Sequence, residues 1–254
     1  MSLSTREYRN ERRRESQFFH KLISRNPLSP KTLEWMAENG KAYSSATLDR
    51  YGVHEGVLAR YQRNGSYSPA GGFRGFVCHL SVIIIPVGPV QRCYAYELPK
   101  RERWRVIPAG YGAQWLGDLS LSELILCEGE WDLFRLHDEG FHNAITHTAG
   151  AGTFLKEWVR LFQDKNIFIV YDVDAVGLKG ARNTARLLHE VANVRLVKLP
   201  LKGTPEENDV SDFFRLGGAA DQLRALLREG KKYERPIFFT RRDRAFLRAG
   251  RISI

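Results

Sequence analysis

The most constraining feature of this sequence is a regular alternation of short apolar strands and amphipathic helices that begins at Leu124. The predicted strands cover residues 124–127, 144–146, 166–171 and 193–199. The predicted helices cover residues 131–139, 154–162, 176–191, 210–216 and 219–228. Because a helix between two strands carries the chain back across the sheet, such strands pair in parallel. The sequence therefore predicts an α/β fold whose mostly parallel sheet has helices on both faces.

Acidic side chains follow three of these strands at the points where the strands end. They are Glu128, Glu130 and Asp132 after the first strand, Asp172 and Asp174 after the third, and Asp209 and Asp212 in the loop beyond the fourth. Open α/β sheets bind ligands outside the carboxyl ends of their strands, so we expect these acids to converge on one edge of the sheet. Helix capping is the alternative interpretation for Asp132 and Asp212 taken singly, because acids stabilise helix N-termini.

The spacing of Asp172 and Asp174 indicates a metal site. In extended backbone, side chains two residues apart point the same way, and two close carboxylates repel each other unless a cation offsets the charge. Hard oxygen ligands suit Mg²⁺ or Mn²⁺, which keep several waters and bridge to substrate phosphates. Gly129 lets the chain turn sharply after Glu128, and a carboxylate fixed there could act as a general acid or base.

A small glycine loop follows the second predicted strand, in the segment THTAGAGT that contains Gly150 and Gly152. A loop of this kind before a helix can present backbone N–H groups to an anion, so it is a candidate phosphate loop. A plain tight turn is the alternative interpretation.

The chain before the alternating segment has a different texture. Residues 1–29 are rich in Arg and Glu, which predicts a charged helix or a frayed arm, either solvated or in contact with nucleic acid. Residues 30–62 predict short helices, the first of them starting at Pro30. Residues 73–107 predict three strands. Residues 231–254 form a basic tail.

Composition narrows the class of partner. The formal net charge of +10 and the pI of about 9.6 favour polyanions, of which nucleic acid is the first candidate. No apolar run is long enough to span a bilayer and no apolar leader is present, so we expect a cytoplasmic protein that does not bind membranes. The three cysteines contain no CxxC pair, which predicts neither a zinc site nor a disulfide framework.

Three motifs in order resemble the Toprim domain. They are E-G-E-x-D at Glu128–Asp132, D-x-D-x-x-G at Asp172–Gly177 and N-D-x-x-D at Asn208–Asp212. The resemblance covers roughly residues 122–216. A looser resemblance upstream joins KTLEWMAENG, the strand IIIPV and the strand QRCYAYEL, which look like the N-terminal half of the RNA-polymerase core of bacterial primases. Together they imply a Toprim (Rossmann-like) domain at 121–230, preceded by a smaller α+β lobe at 30–120.

The resemblance also implies roles for individual residues. Glu128 would be the general acid or base, and Asp172, Asp174 and Asp209 would hold two or more Mg²⁺ or Mn²⁺ ions. Supporting acids would be Glu130, Asp132 and Asp212. Residues facing template and nucleotide would be Arg74, Lys100, Arg101, Arg103, Arg105 and Lys179. A solvated basic strand edge is the alternative for the four basic residues between 100 and 105.

The implied activity is primase-like nucleotidyl transfer, in which single-stranded DNA is the template and nucleoside triphosphates are the substrates. A replicative helicase or another replication protein is the expected partner. The chain departs from bacterial primases because its three cysteines could not form a zinc-binding module. It also has no Walker motif. Ser211 also stands where many of them carry a further acid. These departures favour a small protein of a phage or other mobile element. A metal-dependent nuclease of the OLD or maturation type and a non-catalytic nucleic-acid-binding protein are the alternatives.

Overall fold

The computed structural model describes residues 18–62, 67–68, 72–73, 76–98, 103–107, 113–150 and 152–234. It is a mixed α/β structure with two main sheets. One sheet is built from strands before residue 108, and the other from strands after residue 114. The expected fold class, an α/β domain preceded by an α+β lobe, is confirmed.

The first sheet is antiparallel throughout. Its strands are β1 (Phe18–Asn26), β2 (His54–Gln62), β5 (Phe76–Val87), β6 (Val90–Tyr94) and β7 (Trp104–Ile107), in that order across the sheet. Two helices, α1 (Pro30–Glu38) and α2 (Ser45–Arg50), connect β1 to β2. A separate two-stranded ribbon pairs β3 (Tyr67–Ser68) with β4 (Gly72–Phe73).

The second sheet carries the alternating pattern. Its strands are β8 (Trp115–Leu116), β9 (Glu123–Cys127), β10 (Ala144–His147), β11 (Asn166–Val170), β12 (Asn193–Leu196) and β13 (Lys231–Lys232). The order across the sheet is β13-β12-β11-β9-β10-β8, in which the four central strands are parallel and the two edge strands are antiparallel. Its helices are α3 (Glu130–Asp138), a 3₁₀ helix (Lys156–Phe162), α4 (Ala175–Leu188), α5 (Val210–Arg215) and α6 (Ala220–Glu229).

Both faces of the second sheet are buried, as its continuous apolar strands require. In β9, Leu124 and Leu126 belong to one core cluster, with α4 and the 3₁₀ helix. Ile125 and Cys127 belong to another, with α3, α5 and α6. This second cluster also contains Ile83 of β5, so one continuous core joins the two sheets.

Two predictions about the N-terminal region are wrong. Within the charged helix or arm expected over residues 1–29, Phe18–Asn26 instead form strand β1, and residues 1–17 lie outside the described residues. Residues 54–62, expected to lie among short helices, form β2. The two strands pair along almost their whole length. A side chain at Gly56 would collide with the backbone of Ser24, so glycine permits the close pairing. The charged residues that precede β1 in the sequence concealed this long-range pairing.

The prediction for residues 154–162 is also corrected, since a 3₁₀ helix takes the place of the expected α-helix. The short edge strands β8 and β13 were not predicted, because two-residue strands have no periodicity to detect. No helix in the described ranges is long and apolar enough to cross a membrane.

Helix α3 is held by the first lobe along its length. At its start, Arg92 Nε lies 2.6 Å from Glu130 Oε1, and both side chains are largely buried. At its end, Asp138 accepts hydrogen bonds from the backbone N and the Oγ of Ser44, at 2.8 and 2.6 Å. Between them, Arg135 Nη2 donates to the carbonyl of Ala42 at 2.9 Å. The acid-bearing helix is therefore positioned by residues that lie far from it in sequence.

The buried Arg92–Glu130 pair predicts a large stability effect. Arg92→Leu leaves the Glu130 carboxylate buried without its partner, so we expect the free energy of unfolding to fall by about 3–5 kcal/mol. Urea denaturation followed by circular dichroism measures it. Arg224→Leu, which breaks the exposed Asp221–Arg224 pair, is the matched control and should cost less than about 1 kcal/mol. Equal losses in the two variants would show that the buried pair does not join the lobes.

Candidate metal centre

The turn between β9 and α3 positions Glu128. Gly129 is the N-cap residue of α3 and contributes no side-chain hydrogen bond. The Glu128 carboxylate therefore lies at the end of a central strand, half-buried, with its Oε2 3.4 Å from the backbone N of Asp172. This long contact links the ends of β9 and β11, which are neighbours in the sheet.

The turn between β11 and α4 positions the second pair of acids. Asp174 caps α4, because its Oδ1 accepts from the backbone N of Val176 at 2.9 Å and of Gly177 at 2.7 Å. A side chain at Gly177 would collide with the backbone of Asp172. The glycine of the D-x-D-x-x-G motif thus lets helix and acid approach closely. The prediction that Asp172 and Asp174 lie together is supported, although Asp174 also has a capping role.

The loop before α5 brings in the third group. Asp209 caps α5 by accepting from the backbone N of Asp212 at 2.7 Å. Asn208 joins this loop to the β11 turn: its carbonyl accepts from Val173 N at 2.8 Å, and its Nδ2 lies 3.5 Å from Asp172 Oδ2. The three strand-end segments are therefore adjacent, as the sequence predicted.

Asp132 lies on α3 and is buried, with only 6% of its surface exposed. Its Oδ1 lies 3.5 Å from Ser211 Oγ, so the residue that stands where many primases carry an acid contacts one here. Tyr43 of the first lobe donates from its hydroxyl to the carbonyl of Trp131 at 3.1 Å, and Lys41 Nζ lies 5.3 Å from the Trp131 ring centroid. Neither Tyr43 nor Lys41 was predicted, because no local pattern connects them to the acids.

Burial and mutual repulsion raise the pKa values of these acids. Burial chiefly raises the pKa of Asp172 to about 10, and the charges of Asp132, Glu128, Asp209 and Asp174 add to the shift. Burial likewise raises the pKa of Glu128 to about 7, with contributions from Asp174 and Asp209. The pKa of Asp132 is raised well above its usual range by burial and then by Asp209 and Glu128, while Lys41 opposes the shift. The acids therefore share one electrostatic environment.

The chemistry of this donor set fits a hard divalent cation. All the groups are oxygen ligands, they repel one another, and a cation would favour their ionised forms. In the described ranges, no three Asp, Glu, His or Cys side chains are placed so that together they could hold a metal ion as they stand. Mg²⁺ keeps several waters and needs only one or two protein carboxylates, so a closed protein cage is not required.

Two predicted supporting acids have other partners. Glu130 pairs with Arg92 at the lobe boundary. Asp212 accepts from Asn208 N at 3.0 Å and pairs with Arg215 at 2.8 Å. Both therefore lie beside the centre and fix its surroundings.

The predicted basic residues differ in their surroundings. Arg103 binds within its own lobe, because its Nε donates to the carbonyl of Leu98 at 2.8 Å and its Nη1 donates to the Tyr94 hydroxyl at 3.0 Å. Arg105 donates to the carbonyl of Trp104 at 2.7 Å, and Lys179 is exposed on α4. The remaining members, Arg74, Lys100 and Arg101, lie outside the described residues.

The candidate phosphate loop forms a turn. Gly150 has a φ of +74°, and a side chain added at Gly150 or Gly152 would meet nothing within 4 Å. The 3₁₀ helix begins only at Lys156, with Leu155 as its N-cap, so the loop is separated from a helix N-terminus. The turn interpretation accounts for Gly150, and the phosphate assignment of the loop stays a prediction.

Comparison with known proteins agrees with this architecture. Residues 125–214 match the Toprim-like family Toprim_2. The fold is similar to the zinc-binding and RNA polymerase domains of the Aquifex aeolicus primase, with a TM-score of 0.61 and 18% identity over 81% of this chain. It is also similar to a DnaG primase catalytic domain bound to single-stranded DNA, with a TM-score of 0.59 and 13% identity over 82% of this chain. A Pseudomonas aeruginosa DNA primase domain gives a TM-score of 0.58 and 18% identity over 80% of this chain.

The chain spans 57% of the Aquifex chain, 76% of the DnaG chain and 74% of the Pseudomonas chain. No curated protein sequence matches it significantly. Residues 125–214 thus resemble the Toprim-like family, and the fold is similar to that of primase catalytic cores.

The raised pKa of Asp172 predicts a pH-dependent stability effect. Its folded-state pKa of about 10 exceeds its ordinary value of 3.8, so its contribution to stability declines as pH rises between these values. Asp172→Asn removes that cost, and without divalent metal the variant should melt above the wild type by roughly 2–4 °C or more at pH 8.

The difference in melting temperature should shrink as pH is lowered toward 5. Thermal unfolding in EDTA across this range measures it, with Glu34→Gln, an exposed acid on α1, as the control. A variant that is less stable than the wild type at pH 8 would contradict the assigned electrostatic strain.

Proposed function

We propose that this protein is a primase-like nucleotidyltransferase that synthesises short RNA primers on single-stranded DNA from nucleoside triphosphates. The observation that carries the proposal is the cluster of mutually interacting carboxylates at the carboxyl ends of β9 and β11, within the fold of primase catalytic cores. One of the similar structures is a primase catalytic domain bound to single-stranded DNA.

Asp172, Asp174 and Asp209 are the residues that would hold two or more Mg²⁺ or Mn²⁺ ions. When bound, such ions would neutralise charge on the transferring phosphoryl group and orient the reacting oxygens. Asp174 and Asp209 each accept helix-capping hydrogen bonds, which orient both carboxylates at the edge of the sheet. Asp132 is the buried acid beside them, and Glu130 and Asp212 support the centre through Arg92 and Arg215.

Glu128 is the residue suited to proton transfer. Burial raises the pKa of Glu128 to about 7 without metal, and a bound cation would lower it, so the carboxylate would be ionised and able to accept a proton near neutral pH. A general base works best when its pKa lies near the operating pH. We assign it the acceptance of the proton from the attacking 3′-hydroxyl.

Basic side chains would contact the phosphates of template and nucleotide. The candidates are Arg74, Lys100, Arg101, Arg105 and Lys179. Arg103 would act indirectly, because its guanidinium is held by Leu98 and Tyr94. The Gly150 and Gly152 loop is a further candidate for phosphate binding.

The proposed reaction also defines partners and location. Priming serves replication, so a replicative helicase or another replication protein is the expected partner. The protein would act in the cytoplasm, where the template lies, and a small primase of this kind fits a phage or mobile element. These assignments rest on the proposed reaction.

Primer synthesis tests the proposal. Wild-type protein, single-stranded DNA, labelled ribonucleotides and Mg²⁺ or Mn²⁺ should give short labelled products. Glu128→Gln and Asp172→Asn should each lower the rate by roughly 100-fold or more, because each removes a group acting in the transition state. Glu34→Gln should retain the wild-type rate.

The outcomes separate the alternatives. Products that persist in Glu128→Gln and Asp172→Asn would show that the carboxylates do not form the active centre. Cleavage of nucleic acid without nucleotides, lost in the same variants, would identify a nuclease instead. Binding without turnover in the wild type, with or without a helicase, would leave a nucleic-acid-binding protein.

A further inference from the structure

A groove with a volume of about 910 Å³ lies on the second sheet between α4, the end of β12 and the edge strand β13. Its apolar lining includes Ile169, Leu178, Ala181 and Leu196. The Lys231–Glu234 segment forms one wall, and Tyr233 N donates to the carbonyl of Val194 at 2.9 Å. The groove contains none of the motifs described in the sequence.

The rim of the groove is strongly positive. Its charged lining residues are Arg182, Lys198, Lys231, Lys232 and Glu234, which gives four cations against one carboxylate. All five are exposed, so their charges remain available to a ligand. The cations come from three separate elements and lie on both walls. An evenly charged polymer backbone would satisfy this distribution better than a single anion would.

The groove also offers an aromatic ring. Tyr233 is half-buried, and its ring packs edge-to-face against His189 at a centroid distance of 5.5 Å. This contact uses part of the ring and fixes its orientation. An oriented aromatic ring above an apolar floor is a surface on which a nucleic-acid base can stack.

The groove adjoins the metal centre. Tyr171 lines the groove, and the next residue, Asp172, belongs to the carboxylate cluster. Both follow β11, at the carboxyl edge of the sheet where ligands of α/β folds bind. The groove and the carboxylate cluster therefore share β11 and the residues that follow it.

We infer that the groove between α4, β12 and β13 binds single-stranded nucleic acid, with phosphates at Arg182, Lys198, Lys231 and Lys232 and a base at Tyr233. A positively charged groove with an aromatic platform is the general solution for binding single strands without sequence preference. The inference concerns binding only, and it holds whichever reaction the carboxylates perform.

Binding of a short fluorescein-labelled thymidine oligonucleotide, measured by anisotropy in EDTA without nucleotides, tests the inference. Lys231→Glu combined with Lys232→Glu should weaken binding at least about tenfold, and the dependence of affinity on salt should become shallower. The matched control is Lys156→Glu with Arg160→Glu, which changes the net charge equally at exposed positions of the 3₁₀ helix. It should weaken binding less than about threefold.

Two further measurements make the test decisive. Asp172→Asn should bind the oligonucleotide as tightly as the wild type in EDTA, which separates this groove from the metal centre. An oligonucleotide carrying 5-iodouracil should cross-link to Tyr233 on irradiation, and this cross-link should be lost in Tyr233→Leu. Thermal unfolding of each variant checks that it is folded.

Three results would overturn the inference. One is equal weakening by the groove and control variants, which would indicate a diffuse charge effect. Another is a cross-link that maps elsewhere. A third is competition by polyglutamate as effective as that by the oligonucleotide at matched charge, which would assign the groove to an acidic protein segment.

Discussion

Repulsion among buried carboxylates at one sheet edge is the interaction on which the rest of the structure depends. The carboxyl ends of parallel strands lie at the same edge of the sheet, so the acids that follow β9 and β11 lie close together. Part of this repulsion is offset at two helix N-termini, where Asp174 and Asp209 accept hydrogen bonds from backbone N–H groups. Glu128 accepts a long hydrogen bond from the backbone N of Asp172, and Asp172 accepts one from Asn208 Nδ2. Burial and repulsion nevertheless raise the pKa of Asp172 to about 10 and that of Glu128 to about 7. A divalent cation would complete the charge balance.

The first lobe contributes to this centre by holding the helix that carries Asp132. Arg92, Ala42 and Ser44 bind α3 at its start, middle and end. The hydrophobic core is continuous between β5 and α3, so packing also joins the first lobe to the helix that carries Asp132. The first sheet therefore contributes to the site by positioning α3.

The acids and their sheet could be predicted because they depend on local patterns: strand–helix alternation gives the parallel order, and strand-end position gives the cluster. The contacts of Arg92 and Tyr43 could not be predicted, since each depends on a partner 38 or more residues away. Strand β1 was missed for the same reason, because it depends on long-range pairing with β2 and not on a local pattern. Glu130 was expected among the acids of the centre, yet it forms an ion pair with Arg92 of the first lobe.

Direct measurement of cation binding tests the central claim. Mn²⁺ titrated into the full chain without nucleotide or nucleic acid can be followed by the loss of its free electron paramagnetic resonance signal. We expect saturable Mn²⁺ binding by the wild type, much weaker binding by Asp172→Asn, and wild-type binding by Glu34→Gln. Equal Mn²⁺ binding by the wild type and Asp172→Asn would show that the carboxylate cluster is not a metal centre.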